Sequence, residues 1–282
     1  MIATDAPPLR RSRSAEFSAL AALFMLTVRQ HTHGRRLWVL GGLYSLPCVL
    51  AIVLRNLSVP APADALEFAL VFSLVPHGLA PLTALLYAAG VVQDEVEEQT
   101  LTYLLLRSMP RWAMYLTKLL ATLCITTALV AVAVLALYVA IYVGTPGFWD
   151  EVLPRAAKAV AVMALAQVGY CALFGFLGLL TRRSLIAGIG YIVVVEGVLA
   201  NLDFVGRALT IVYYVRALML QWLELPREQM QRCQEMWGME ELEKLSSPMS
   251  CTLTILSFGV AVSLLSALWF ARREFRVKTP GD

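Results

Sequence analysis

Two ionisable side chains, Glu196 and His77, lie within long apolar runs and are the clearest candidates for chemistry in this sequence. A charged group inside a membrane is costly, so it usually faces a protein interior and often marks a substrate or proton pathway. The alternative is structural, with Glu196 bonded to a hydroxyl or backbone group and His77 packed as a satisfied polar residue. We predict that a polar pathway contains Glu196, His77, Gln167 and Tyr170, the last two as contacts between helices.

Motifs for catalysis within this chain are absent. The sequence has neither H-E-x-x-H nor G-x-S-x-G, and it lacks the G-x-x-x-x-G-K-[ST] loop that cradles ATP phosphates. His31 and His33 have no nearby carboxylate or Cys ligand, so contact with lipid headgroups is the better interpretation than a metal site. We therefore expect neither a catalytic residue nor a cofactor in this chain.

Sulfur-bearing side chains recur every three residues near the C-terminal third of the chain, at Met230, Cys233, Met236 and Met239. Soft sulfur ligands can bind Cu(I), but Met is also an ordinary gap-filling residue, and an apolar stripe is the better interpretation. Cys233 and Cys251 could pair in an oxidising compartment, although their spacing does not require it. No metal site is predicted.

The composition indicates which elements hold these residues. Of 282 residues, 59% are apolar and only 15% are charged, with a net charge of +3, whereas soluble domains have about 25% charged residues. The charges leave gaps that are long enough to span a bilayer. This excludes a soluble enzyme, a disordered chain and a disulfide-stapled secreted domain. We predict an all-α integral membrane protein with a single transmembrane domain over residues 1–282.

Apolar runs of about 20 residues mark the predicted transmembrane helices. There are six: 37–54, 68–92, 119–143, 159–181, 185–200 and 251–271. A further stretch, 208–223, is apolar except for Arg216 and is short for a span, so we expect a re-entrant or interfacial helix. It belongs to an outer segment, 201–250, in which Pro226 is suited to a helix start and residues 227–246 look helical and exposed.

The basic residues predict the orientation of these spans. With the N-terminus inside, the inner segments hold 15 of the 23 Lys and Arg residues, as the positive-inside rule favours. Both termini are therefore expected in the cytoplasm. Residues 15–35 are expected to form an amphipathic interfacial helix with Phe17, Leu20 and Phe24 on one face. Arg29, Arg35 and Arg36 would meet anionic headgroups.

The segment between the second and third spans carries the densest charge in the chain. Four acids fall within Asp94–Glu98, directly after a span, where the positive end of a helix dipole favours them. An apolar stripe follows, and Pro110 then ends the helix. A short helix of this kind is suited to docking another protein, or to capping the bundle without binding anything.

The order of residues in this segment resembles the membrane-subunit family of ABC-2 type exporters, in which an acid, Gly-Thr-Leu, a Leu pair, Pro, Arg and Lys follow the second span. Gln99 replaces the usual Gly, Pro110 lies two residues late with Ser108 in its place, and Thr117 replaces a frequent Gly. The resemblance covers about 25 residues, and the six-span layout agrees with it. The matching residues are Glu95, Glu98, Thr100, Leu101, Leu104, Leu105, Arg111 and Lys118, and together with Asp94 they are the predicted ATPase-docking residues.

The resemblance implies a permease subunit of an ATP-driven exporter. A separate ABC ATPase subunit, which would bind ATP and Mg, would dock on residues 93–111 as the coupling helix. A second permease copy would complete the pathway, most simply as a homodimer. Membrane lipid and additional outer-side subunits are further partners, and no nucleic acid is expected. The implied location is the inner or plasma membrane.

Two alternatives stay open at this level. One is an ion-coupled secondary carrier that uses Glu196 and His77 and needs no ATPase. The other is a membrane assembly protein that transports nothing. The apolar side chains of the spans do not indicate a substrate.

Overall fold

The computed structural model describes residues 13–57, 62–97, 110–202, 205–239 and 247–272. These residues are almost entirely helical and include no strand, which confirms the predicted all-α class. We number their main helices in chain order. They are α1 (Arg13–His33), α2 (Arg35–Arg55), α3 (Ala63–Asp94, continuing to Glu97), α4 (Arg111–Tyr142), α5 (Phe148–Leu180), α6 (Ser184–Asn201), α7 (Ile211–Trp222), α8 (Arg227–Trp237) and α9 (Pro248–Arg272).

Six of these helices, α2 to α6 and α9, are long and apolar enough to cross a membrane, as the sequence predicts. Two of them extend well beyond the apolar runs. Helix α4 begins at Arg111 and passes through Lys118 before reaching residue 119, and α5 begins at Phe148 and includes Arg155 and Lys158. A charged side chain does not interrupt a helix when the bundle provides it with a partner.

The long helices divide into a central group and a peripheral group. In their most apolar windows, α3, α5 and α4 are 61%, 56% and 44% buried, whereas α2 and α6 are each 22% and α9 is 28% buried. Glycine allows close approach in the centre: a Cβ added at Gly178 of α5 would lie 2.4 Å from the carbonyl oxygen of Ala89. Small residues permit this backbone contact, which drives helix association in membranes.

Helix α3 is wound as a π-helix from Glu67 to Leu79, with Pro76 inside it. Proline lacks a backbone N–H and leaves carbonyl groups without their helical donors. Side chains of neighbouring helices bond carbonyls of this region. The Tyr44 hydroxyl donates to Leu79 O at 3.2 Å, and Gln167 Nε2 donates to Ala80 O at 2.9 Å.

The segment after α6 folds over one end of the bundle. Helix α7 is buried along most of its length and packs against α9, α5 and the π-helical part of α3. Helix α8 starts after Pro226, as predicted, but ends at Trp237, where Gly238 takes a left-handed conformation with φ of 61°. A glycine in this conformation terminates a helix without strain. The predicted helix to residue 246 is therefore shorter, and residues 240–246 lie outside the described part.

Helix α1 packs against α4 and is separated from α2 by Gly34. Its buried positions include Leu23 and Thr27, while Phe17 is 76% exposed. The predicted single apolar face of Phe17, Leu20 and Phe24 is thus divided, since only Leu20 and Phe24 are partly buried.

Candidate functional site

Successive long helices run in opposite directions, and their polar contacts group at two ends of the bundle. The cleft end contains residues 29–36, 90–97, 110–118 and 180–184. The capped end contains residues 62–67, 142–155 and 201–239, where α7 and α8 cover the long helices.

At the cleft end, Asp94 forms a two-pronged ion pair with Arg36 of α2. Both nitrogen–oxygen distances are 2.8 Å, and the two side chains are 36% and 40% exposed, respectively. Gly90 makes room for this pair, because a Cβ there would lie 2.6 Å from a carboxylate oxygen of Asp94 and 2.7 Å from Arg36 Nη1. Asp94 therefore ties the end of α3 to the start of α2.

Two further contacts join the same turn of α3 to other helices. Lys118 of α4 is only 6% exposed and donates from Nζ to Val91 O at 3.1 Å. Gln93 accepts from the Ser184 hydroxyl of α6 at 2.6 Å and also donates to the carbonyl of Arg182. The last described turns of α3 are thus bonded to α2, to α4 and to the link between α5 and α6.

The predicted docking residues are only partly described. Residues 93–97 continue α3, and the backbone of Glu95 belongs to this helix. Arg111 is exposed in the first turn of α4, which starts after Pro110. The docking surface as a whole stays a prediction, since the remaining residues assigned to it lie outside the described part: Glu98, Thr100, Leu101, Leu104 and Leu105.

His31 of α1 occupies the inner wall of the cleft end. Its Nε2 lies 3.0 Å from the Thr122 hydroxyl, which itself donates to Lys118 O. Burial, with Arg36 and Lys118 nearby, lowers the pKa of His31 to about 4, and Asp94 opposes this only weakly. His31 is therefore neutral at physiological pH and donates from Nε2 to Thr122.

In the interior, Glu196 is fully buried and anchors the start of α7. Its two carboxylate oxygens accept from the backbone N–H of Ile211 at 3.2 Å and of Val212 at 3.0 Å. The Tyr191 hydroxyl donates to it at 2.9 Å. The first N–H groups of a helix have no intrahelical acceptor, and an acidic group there also faces the positive end of the helix dipole. Glu196 thus performs a capping role on another helix.

His77 meets Arg216, a buried cation that the sequence analysis treated only as an interruption. Arg216 donates to His77 Nε2, while His77 Nδ1 donates to Ser73 O at 2.7 Å. Arg216 also donates to Ala200 O at 3.2 Å and to Asn201 Oδ1 at 2.7 Å. Its guanidinium lies 5.6 Å from the ring centre of Trp237. A neutral His77 is required, because an imidazolium would have no lone pair to accept from Arg216.

Each of the four predicted pathway residues makes contacts inside the bundle. Glu196 and His77 both act on α7, through its first turn and through Arg216. Gln167 is fully buried and bonds the carbonyl of Ala80, so it connects α5 to α3. Tyr170 is fully buried and stacks on Phe174 with ring centres 6.1 Å apart.

Glu67 is the most densely bonded residue of the capped end, and the sequence analysis missed it. The side chain is fully buried and accepts from four donors on three other helices. They are the Tyr138 hydroxyl at 2.8 Å, the Tyr142 hydroxyl at 2.5 Å, Gln229 Nε2 at 2.9 Å and Arg155 Nη1 at 3.4 Å. Pro62 could have indicated this role, because a helix that starts after this proline includes Glu67 within the same helix as the second span.

The sulfur-bearing side chains do not share one surface. Cys233 and Met239 are buried, whereas Met236 is 67% exposed. Cys233 and Cys251 are both buried and are not joined by a disulfide. Among the described residues, no group of three or more His, Cys, Asp and Glu side chains is placed to hold a metal ion.

Comparison with known proteins adds no assignment. No family model matches the chain, and no curated protein matches it.

Proposed function

We propose that this chain is the permease subunit of an ATP-driven ABC exporter and that a separate ATPase subunit docks on the segment between α3 and α4. The proposal joins the resemblance over residues 94–118 to one structural observation. The stem of that segment, Val91 to Asp94, is bonded to α2, α4 and the α5–α6 link. A displacement of the segment would therefore move several helices together.

The physical basis for coupling is the rigidity of these contacts. Lys118 is held at a buried position against Val91, and Gly178 places α5 in backbone contact with the adjacent turn of α3. Close-packed helices transmit strain because they do not deform continuously. A docked motor pushing on residues 98–109 would thus tilt α3 and α4 with their neighbours rather than bend a loose loop.

The remaining parts of the proposal follow from orientation. The cleft end would face the cytoplasm, the capped end would face outward, and both termini would be cytoplasmic. A second copy of this chain would complete the pathway. ATP and Mg would bind the partner ATPase, and the membrane would be the inner or plasma membrane.

Co-purification tests the docking role. We expect the double reversal Glu95→Lys and Glu98→Lys to abolish capture of an ATPase from native membranes, because it inverts the charge of the docking segment. The matched control reverses two exposed acids of α8 at the capped end, Glu228→Lys and Glu235→Lys, and should leave capture intact. Equal capture of an ATPase by both double variants would contradict the proposal.

An ion-coupled carrier using Glu196 and His77 is the rival, and a non-transporting assembly protein is the third candidate. In this structure Glu196 caps α7 and His77 accepts from Arg216, so both side chains have structural roles. A carrier should transport its substrate without any ATPase, and Glu196→Gln should abolish this transport. An exporter should instead lose transport when the ATPase is removed, with Glu196 intact. An assembly protein would show no transport in either assay.

A further inference from the structure

Four of the six tryptophans in the chain are exposed, and all four lie near an end of a candidate membrane span. Trp38 of α2 is 81% exposed, Trp112 of α4 52%, Trp149 of α5 74% and Trp269 of α9 48%. An indole is apolar with one polar N–H, which suits a boundary between apolar and wet surroundings. Four such side chains left uncovered by the bundle indicate contact with something outside this chain.

Three of these tryptophans surround the cleft end, although they belong to three helices. Trp112 lies in the first turn of α4 and Trp38 in the first turn of α2. Trp269 is next to Phe270, whose ring centre lies 5.9 Å from that of Tyr115, one turn after Trp112. The three indoles therefore lie near one level of the bundle.

The exposed side chains of these three helices change character in the same order. An arginine comes first at the helix end, then the tryptophan, and then aliphatic side chains toward the middle of the helix. The arginines are Arg35, Arg111 and Arg272, and the aliphatic side chains include Leu46, Leu120 and Leu265. Headgroups, boundary and hydrocarbon follow in this order at a membrane surface. A single protein partner would not impose this order on three helices.

Trp149 marks the opposite side of the bundle. It lies at the capped end, where its ring packs edge-on against that of Phe148 with centres 5.3 Å apart. At about 1.5 Å per residue, the part of α5 from Trp149 to Gly178, next to the cleft end, is about 43 Å long. A bilayer with its headgroup layers is about 40–45 Å thick. The two levels of exposed tryptophan are thus separated by the thickness of a membrane.

We propose that Trp38, Trp112 and Trp269 lie in one headgroup layer of a lipid bilayer and Trp149 in the other. The four indoles then determine the depth of the bundle in the membrane. The partner of this surface is lipid rather than a second copy of this chain. All four tryptophans lie outside the segment assigned to ATPase docking, so the two proposals can fail separately.

Quenching of tryptophan fluorescence in the full-length protein tests the proposal. The protein is reconstituted in dioleoylphosphatidylcholine vesicles with phosphatidylcholine brominated either near the headgroup or near the chain ends, and iodide on both sides is the aqueous quencher. Trp38→Phe or Trp149→Phe removes one indole, and the emission lost reports the quenching of that residue. We expect about twofold stronger quenching by bromine near the headgroup, because tryptophan prefers that level.

Trp237→Phe is the matched control, because Trp237 is only 6% exposed and its ring centre lies 5.8 Å from that of Phe68. The emission that this substitution removes should be insensitive to both brominated lipids. The proposal is overturned if bromine near the chain ends quenches Trp38 or Trp149 as strongly as bromine near the headgroup, or if iodide alone quenches them. Protection of either indole from all three quenchers would also overturn it, by assigning the surface to a protein partner.

Discussion

The capped end and the cleft end of the bundle use charge in opposite ways. At the capped end, Glu67 is fully buried with Arg155, two tyrosine hydroxyls and Gln229 around it. At the cleft end, the Arg36–Asp94 pair is more than one-third exposed on both sides. An exposed ion pair contributes little, whereas a buried charge that loses its partners costs several kcal/mol. The capped end therefore depends strongly on the contacts of Glu67, whereas the Arg36–Asp94 pair is only a small part of what stabilises the cleft end.

The largest expected effect is at Glu67. Glu67→Ala would leave Arg155 and three neutral donors without their shared acceptor and should destabilise the protein by about 3–5 kcal/mol. Thermal unfolding in lipid nanodiscs measures this. The control is Asp64→Ala, one turn earlier, where an exposed pair with Arg232 at 3.1 Å is lost for about 0–1 kcal/mol. Equal losses for the two variants would remove the distinction between the ends.

Backbone packing between α5 and α3, next to the cleft end, gives the next effect. Gly178→Ala would place a methyl group 2.4 Å from Ala89 O, and the resulting shift of α5 from α3 should cost about 1–3 kcal/mol. Gly190→Ala on α6 is the control, because no atom lies within 4 Å of a Cβ there. Unfolding by denaturant can compare the two. A tolerated Gly178→Ala would mean that packing is not what holds this end.

A smaller, pH-dependent effect is expected at His31. The pKa of His31 is lowered to about 4 from a usual value of 6.5. Between pH 6.5 and pH 4, His31 is therefore protonated in the unfolded chain but neutral in the folded chain. The free energy of unfolding is thus unaffected by His31 above pH 6.5 and decreases as the pH falls from 6.5 toward 4. His31→Gln should reduce this slope in a pH series of melting temperatures. Substituting the exposed His33 by Gln should not change it.

The smallest effect is expected at Asp94. Asp94→Asn removes the exposed pair with Arg36 and should cost about 0–1 kcal/mol, less at high salt. Melting temperatures at two ionic strengths measure this. If Asp94→Asn destabilised the protein as much as Glu67→Ala does, the ion pair at the cleft end would be as important as the buried carboxylate at the capped end, which would contradict the comparison.

Much of the fold was predictable because it depends on long apolar runs, which predicted six helices long enough to cross a membrane. The ends of the helices were not predictable, because each predicted span was ended at a charged residue. Lys118 and Arg155 lie inside helices since the bundle supplies Val91 O and Glu67 as partners. Arg216 likewise lies inside a helix, α7, because Ala200 O, Asn201 and His77 supply its partners. Such partners are distant in sequence, and only the packed structure brings them together.

Of the candidate site, a structural bond of Glu196 was one of the two interpretations of the sequence, beside a pathway role, but its acceptor role for α7 was not predictable. That role depends on the turn between residues 205 and 210, which places the start of α7 against α6. Glu67 was missed because it lies one residue outside an apolar run. Hydropathy describes each residue by its neighbours in sequence, whereas burial depends on neighbours in space.

In the π-helical stretch of α3, the length of the helix and the rotation of its side chains about the helix axis are linked. Its bonds run from residue i to i+5, so each turn holds more residues than an α-helical turn. Rewinding Glu67–Leu79 into an α-helix would lengthen α3 and turn its side chains about the axis. Glu67 and His77 lie near opposite ends of this stretch, so the rotation would differ at the two positions. A single change of pitch would therefore break the contacts to α8 and to α7 in one movement.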